Sequence, residues 1–343
     1  MLTIAVVGLG AIGLPVAARL RSHTPHRIYG VAGRTATAQR LKAQGLKVLR
    51  LGEWEPPVHL DDVFVSVEEL PELLDIAFVV TKTEAVPEVV QALLPKLKPT
   101  GVLVMMQNGY ILDTVLRYAH ESRVIGCSVV WSASLREDGS AEITGPGNFV
   151  LGGLPHTFPF RIAQAAELLG HTFPVKRTNN IRGALWSKLC VNSCITTLGA
   201  ITGLTFGEQT SRGDFRELYF AIITETLRVG TAHGIVFEKL NDKLDPFALS
   251  NLRSWPPRFV KHLILAVMGR KYKGGESSML QSIRRGRKPE IEAINGVVAH
   301  WGKYHSVPTP LHDKMIELVQ EIAEGKRQPS PALLAQLQPL ASN

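Results

Sequence analysis

The stretch TIAVVGLGAIG, Thr3–Gly13, decides the fold. Thr3–Val7 is an apolar, β-branched run that stops at glycine, the pattern of a strand buried on both faces of a parallel sheet. Gly8, Gly10 and Gly13 follow as G-x-G-x-x-G, and Leu14–Arg21 then reads as a helix. A strand, this glycine spacing and a helix, in that order, form a dinucleotide-binding turn. Gly8 permits the tight turn, Gly10 lets backbone N–H groups approach a pyrophosphate, and Gly13 lets helix and strand pack closely. Leu9, Ala11 and Ile12 complete the cofactor-binding loop. The helix N-terminus offers partial positive charge to the phosphates. The bland alternative is a tight strand–helix turn with no ligand.

Outward from this loop, His26–Val31, Asp75–Val80, Gly101–Met105 and Arg123–Val129 read as further strands, with helices over Thr35–Gln44 and Ala85–Leu97. Strands alternating with helices predict an α/β fold with a doubly wound parallel sheet of Rossmann type. Ser132–Gly153 is rich in Gly, Thr and Ser and suggests hairpins. From Asn180 onward the patterns are helical, over Ala184–Leu198, Asp214–His233, Pro257–Met268, Ser278–Arg284, Ile291–Tyr304 and Leu311–Gly325. The expected organisation is a cofactor-binding domain over 1–178, an all-helical substrate and catalytic domain over 179–326, and a loosely held Pro- and Gln-rich tail over 327–343. A length of 343 residues agrees with two domains.

The end of the second strand selects the cofactor. NAD enzymes usually carry an acid there for the ribose hydroxyls. This chain has Gly33-Arg34-Thr35 and no acid between Gly30 and Arg50. A guanidinium suits a 2′-phosphate, so NADPH/NADP+ is expected, with a plain surface arginine as the alternative.

A chain that is 45% hydrophobic and 20% charged is not disordered, collagen-like or a disulfide scaffold. Three cysteines, Cys127, Cys190 and Cys194, fit a reducing compartment. Leu2–Ala18 is uncharged, but it lacks a basic lead and is interrupted by three glycines, so neither a signal peptide nor a membrane span is expected. A cytoplasmic protein without a membrane partner follows. Cys190 and Cys194 stand four apart, yet no second Cys/His pair accompanies them, and no metal is expected. No G-x-S-x-G elbow argues for a serine hydrolase. The net charge of +8 is concentrated between Asn251 and Glu290, where ten Lys/Arg face only Glu276 and Glu290. Such a window could draw anionic molecules or nucleic acid, or could be a solvated face; nucleic acid is the less expected partner.

Seven motifs in order make the chain resemble the ketopantoate reductase (2-dehydropantoate 2-reductase) family. They are GLGAIG at 8–13, Arg34 before RLKAQGL, VTK at 80–82, QNG at 107–109, NNIRGALWSKLCVN at 179–192, SSMLQSIRRGRKPEIEAING at 277–296 and VPTP at 307–310. The resemblance implies a Rossmann domain plus a helical domain like the C-terminal domain of 6-phosphogluconate dehydrogenase, with the active site between them. It also implies NADPH-dependent reduction of the 2-keto group of ketopantoate, on the route to pantothenate. By the same resemblance Lys188 is the catalytic lysine. Asn108 and Lys82 lie in the cofactor region, with Asn108 also touching substrate. Asn192, Thr196 and Ser278 occupy substrate-binding positions, and Glu290 neighbours the lysine and the cofactor.

The chemistry agrees. Hydride delivery to a ketone leaves negative charge on oxygen, so the site needs a proton donor or fixed cation there. Lys188 and Asn192, four apart, project from one helical face. A surface lysine is the ordinary alternative. Ser278 begins S-x-x-Q, a capping box expected to start a helix, and Glu290 after Pro289 is expected in a first helical turn. Four positions depart from the family pattern: Thr196 replaces an asparagine, Phe206 a polar residue, Ser282 an acid, and His312 stands after the final TP. These predict a smaller, more apolar pocket and leave room for a related keto acid or ketone. A non-catalytic NADP(H)-sensing regulator is the alternative from another class. A homodimer is compatible with the long helical region, although no heptad announces it.

Overall fold

The computed structural model describes residues 1–240, 244–271 and 277–342. The chain folds as two compact units, Met1–Ile181 and Arg182–Asn343. Lys273 and Glu276 of the basic window lie outside the described residues. No helix among those residues is long and apolar enough to cross a membrane.

The first unit runs β1 (Thr3–Val7), α1 (Gly13–His23), β2 (Arg27–Val31), α2 (Thr35–Gln44), β3 (Val48–Arg50), β4 (Glu53–Trp54), β5 (Asp62–Phe64), β6 (Leu74–Val79), α3 (Val86–Leu93), β7 (Leu97–Met105), α4 (Leu112–Val115), β8 (Val124–Val129), β9 (Ser132–Leu135), β10 (Ala141–Gly145), β11 (Phe149–Gly153), α5 (Pro159–Gly170) and β12 (Val175–Arg177). Its main sheet has the order β12-β11-β8-β7-β6-β1-β2-β5. From β8 to β5 every pair is parallel, whereas β11 is antiparallel to β8. The chain leaves β1 in one direction through β2 and β5, then returns to β6 on the other side of β1. This reversal is the topological switch point, where doubly wound sheets open a crevice at their carboxyl ends. The strand β1 is buried at every residue, as its sequence pattern requires.

Two elements differ from their sequence reading. The 132–153 segment does not form hairpins alone. β9 and β10 pair antiparallel, but β10 also pairs parallel with β3 in a second sheet ordered β4-β3-β10-β9, and β11 joins the main sheet. Helix α5 was hidden by Arg161, a charged residue on its apolar face. That guanidinium is buried (4% exposed) and donates to Asp75 at 2.7 Å.

The second unit is helical. It contains α6 (Ile181–Thr202, its first residue belonging to the first unit), α7 (Phe206–Ser211), α8 (Gly213–Ala232), α9 (Arg258–Lys271), α10 (Ser278–Arg284), a π-helical stretch Glu292–Gly296 leading into α11 (Val297–Tyr304), and α12 (Pro310–Ala323). Helix α8 is buried along most of its length and packs against α11 and α12. The 327–343 segment was expected to be loosely held. Instead it forms 3-10 turns over Pro331–Gln336 and Gln338–Ser342, with Leu334 and Leu337 buried and the second turn packed on α8.

Two expected caps are shifted. The N-cap of α10 is Ser277, whose hydroxyl accepts from the Leu280 amide, so Ser278 is already the first helical residue. Glu290 precedes the first helical residue, Ile291, rather than lying within the first turn.

Candidate active site

In the first unit the sequence-named cofactor residues gather at the carboxyl edge of the main sheet. Val7 is in register with Val31 on one side and Val79 on the other, so Gly8, Ala32 and Val80 leave the sheet together. Gly8 N–H donates to Val31 O (2.9 Å), and Val80 N–H to Val7 O (2.8 Å). The glycines are needed for different reasons. Gly8 has φ +102°, and a Cβ on it would meet Thr81 N and Val80 C at 2.8 Å; a Cβ on Gly13 would lie 2.0 Å from Gly8 O. Both are required by the protein's own packing. A Cβ on Gly10 meets nothing within 4 Å. Nothing in the fold demands glycine there, and the open space is where a ligand's phosphates could approach the backbone. Helix α1 starts at Gly13 with no acid in its first turn, which suits an anion.

Two buried polar atoms face the same edge without a hydrogen-bond partner among the described residues, Thr81 Oγ1 and Gln107 Oε1. The amide of Gln107 donates to Val79 O (3.0 Å) and Thr81 O (3.2 Å), tying the ends of β6 and β7 together. Buried polar atoms left unpartnered in a native fold ask for a further partner. The nucleotide cofactor implied by the glycine loop, whose ribose and amide groups can both donate and accept, fits that demand. Thr81 and Gln107 sit in the VTK and QNG motifs, but sequence reading named only their neighbours Lys82 and Asn108. Lys82 is exposed at the start of a 3-10 turn, and Asn108 is half-buried beside Gly109, whose φ is +80°. Arg34 is exposed, just after Gly33 with φ +72° has turned the chain away from β2.

In the second unit Lys188 lies on α6. Most of this helix is buried, including Leu185, Trp186, Ser187, Leu189 and Cys190. Lys188, Val191, Asn192, Ile195 and Thr196 are only half-buried. Their spacing of three and four makes one stripe along the helix, so the three expected substrate-facing residues share the face of α6 that is not sealed in the core. Ser277 Oγ donates to Thr196 O at 2.5 Å, which sets the start of α10, with exposed Ser278, beside this stripe. The hydroxyl of Thr196 donates to Asn192 O at 2.7 Å. Toward a ligand it can therefore only accept.

A polar network beneath the stripe escaped the sequence reading. Thr197 Oγ1 donates to Asn295 Oδ1 (2.6 Å), and Asn295 Nδ2 donates to Ser193 O (3.3 Å) and lies 3.2 Å from His312 Nδ1. His312 Nε2 is 3.1 Å from Thr226 Oγ1. Asn295 lies in the π-helical stretch just after Glu290, and π insertions often mark functional segments. His312 is fully buried, and burial lowers its pKa to about 4, so it is neutral. Glu225, buried next to it, accepts the Leu311 and His312 amides at the start of α12; burial raises its pKa to about 7. Phe206, expected to make the pocket smaller and more apolar, is 6% exposed and packed edge-on against Tyr219, 6.3 Å between rings. Ser282 is buried and bonds to Ser278 O.

Cys190 and Cys194 are free and buried, and burial pushes both thiols upward. No group of three or more potential metal ligands exists among the described residues.

Two family descriptions match the chain: "Ketopantoate reductase PanE/ApbA" over residues 4–156 and "Ketopantoate reductase PanE/ApbA C terminal" over residues 180–323. The 2-dehydropantoate 2-reductase of Aquifex aeolicus (strain VF5) is 25% identical over 321 residues, covering 92% of this chain and 95% of the relative. Among solved structures, a PanE/ApbA family ketopantoate reductase from Ralstonia eutropha JMP134 superposes with a TM-score of 0.78 at 22% identity, covering 94% of this chain and 99% of that one. A D-mandelate dehydrogenase with NADH and anilino(oxo)acetate superposes with a TM-score of 0.80 at 21% identity, over 94% and 98%.

Proposed function

The chain belongs to the ketopantoate reductase family, and from that premise we propose that it reduces a 2-keto acid to a 2-hydroxy acid, 2-dehydropantoate to pantoate, with NADPH. The observation that carries this reading is the stripe Lys188–Asn192–Thr196, half-buried on a helix that is otherwise sealed. Gly8–Gly13 would hold the pyrophosphate, Arg34 the 2′-phosphate, and Lys82, Asn108, Thr81 and Gln107 the groups nearer the nicotinamide. Bound there, the cofactor supplies the hydride. Lys188 gives its proton to the carbonyl oxygen as negative charge develops on it, and its charge also favours a substrate carboxylate nearby. Asn192 donates to substrate oxygens, Ser278 at the start of α10 adds a hydroxyl, and Glu290 orients the Lys188 ammonium. The setting is the cytosol, consistent with three free cysteines.

A second reading keeps the reaction and changes the substrate to another 2-keto acid. It is favoured by Thr196, which stands where the family pattern has an amide and whose proton is engaged by Asn192 O. Steady-state oxidation of NADPH with 2-dehydropantoate, and then with a panel of 2-keto acids, separates the two readings. We expect turnover with NADPH and little with NADH, and a loss of roughly a thousandfold in kcat for Lys188→Ala. NADPH bound without turnover of any keto acid would instead favour a nucleotide sensor.

A further inference from the structure

Two helices of the second unit end in the same way. Gly230-x-x-His233-Gly234-Ile235 closes α8, and Gly302-x-x-His305-Ser306-Val307 closes α11. In each, the residue after the histidine has a positive φ, +77° at Gly234 and +56° at Ser306. Gly234 N–H donates to Thr231 O (3.0 Å) and Ile235 N–H to Gly230 O (2.9 Å); Ser306 N–H donates to Lys303 O (3.3 Å) and Val307 N–H to Gly302 O (2.8 Å). This pair of bonds is the Schellman ending, and it sets a histidine at the C-cap of both helices.

The two caps meet. His233 Nδ1 and His305 Nε2, 72 residues apart in the chain, lie 3.2 Å from each other. Trp301, one turn before His305 and on the same side of α11, stacks on both imidazoles. It lies 3.7 Å and 25° from the His233 ring, and 5.9 Å and 27° from the His305 ring. The imidazoles are inclined to each other at 52°. Trp186 of α6 lies 6.0 Å from His233. Both imidazoles are half-buried, so they are oriented by packing yet within reach of ions in solution.

Electrostatics favours a cation at this point. Each helix C-terminus carries roughly half a unit of negative charge, and two of them come together here. Protons supply the cation poorly. At a contact between two imidazoles one nitrogen donates and the other accepts, so both rings cannot be charged and keep the contact. A metal ion instead takes a lone pair from each ring. Two zinc–imidazole bonds of about 2.0–2.1 Å at a tetrahedral angle hold their nitrogens about 3.3 Å apart, close to the spacing already present. Zinc, copper and nickel are the ions that imidazole suits.

We propose that His233 Nδ1 and His305 Nε2 bind one divalent transition-metal ion between the C-caps of α8 and α11, with water in the remaining coordination positions. The ion replaces the hydrogen bond: the donating ring changes tautomer, its proton moving to its other nitrogen, and both facing nitrogens offer lone pairs. With two protein ligands rather than four, the ion exchanges with the medium and clips the helices together only while it is present. The inference does not rest on the reductase reading, and its test needs no turnover.

The experiment titrates Cu²⁺ alone into the untagged full chain and reads tryptophan emission, with equilibrium dialysis for stoichiometry and thermal unfolding with and without Zn²⁺. We expect one Cu²⁺ per chain, quenched emission, and a Tm that rises with Zn²⁺ concentration. Losing even an outer-shell partner of a metal weakens binding about 10–100-fold, so His233→Gln and His305→Gln should each raise Kd on the order of a hundredfold. Each should also remove the Zn²⁺-dependent rise in Tm while keeping the circular dichroism of the wild type. Trp301→Phe should keep the ion and lose most of the quenching. His23→Gln is the control: His23 and His171 stack at 29° with centroids 5.6 Å apart, face to face, and should bind no ion. Wild-type affinity for Cu²⁺ matching that of both histidine variants, quenching that survives in both, or loss of the ion in His23→Gln overturns the proposal and leaves two helix caps joined by an ordinary hydrogen bond.

Discussion

Asp75 in the sheet and Glu225 in the helical unit are both buried carboxylates, 6% and 7% exposed, yet their pKa values move in opposite directions. Burial alone would raise both. At Asp75 it is overcome: Lys98 Nζ donates at 2.7 Å, Thr3 N–H at 2.9 Å and Arg161 Nη2 at 2.7 Å, and the carboxyl ends below its ordinary range. Glu225 accepts the amides of Leu311 and His312 at 3.1 and 3.3 Å, and burial wins, to about 7. The first unit answers this buried carboxylate with full charges, the second answers its own with neutral hydrogen bonds. In the first, the charges lock α5 onto the sheet. In the second, the Thr197–Asn295–His312 chain joins α6, the π-helical stretch and α12.

This comparison can be broken most forcefully at Asp75. Asp75→Ala leaves the guanidinium of Arg161, 4% exposed, without its carboxylate. An uncompensated buried charge costs about 3–5 kcal/mol, and thermal or urea unfolding should show a loss of that size. A loss below about 1 kcal/mol would mean that water reaches Arg161 and that the sheet does not depend on charge.

Asn295→Ala is the matching test in the helical unit. It strips partners from the Thr197 hydroxyl and from His312 without exposing a charge, and it should cost less, about 2 kcal/mol. Because Asn295 lies just after Glu290, kcat in the 2-keto acid assay should fall together with stability, whereas Asp75→Ala should leave kcat of the folded fraction near wild type.

The same difference explains what the sequence disclosed. The cofactor loop is built from backbone, and backbone demands glycine at fixed spacing, so Gly8 and Gly13 announce themselves without any relative. The alternation of strands and helices gave the sheet, because burial on both faces leaves a continuous apolar run. Arg161 concealed α5, because a charge inside breaks the apolar periodicity that signals a helix. Short pieces such as β3, β4 and β5 hold too few residues to show a period. The lysine stripe was another matter: spacing put Lys188 and Asn192 on one face, but only the resemblance said that the face had a purpose. The Asn295 network was invisible, since its partners lie about 17 to 100 residues apart in the chain. Ser277 and Ser278 are adjacent serines, and which one caps depends on the bond to Thr196 O, a tertiary fact.

The most discriminating prediction concerns protons. Glu225 holds its proton up to about pH 7 in the folded chain and to about 4.3 when unfolded. Between those values the folded state binds the extra proton, so stability falls as pH rises. His312 protonates at about 4 when folded and at about 6.5 when unfolded. There the unfolded state binds the extra proton, so stability rises with pH. The two slopes oppose each other over most of the same window and largely cancel. Glu225→Gln removes only the falling one. Relative to wild type, the variant should therefore gain roughly 3 kcal/mol in unfolding free energy from pH 4.5 to 8, with no further change above. If the two backbone amides and the start of α12 hold Glu225 ionised instead, as the cations hold Asp75, that gap will stay flat across the range, and the contrast between the two carboxylates disappears.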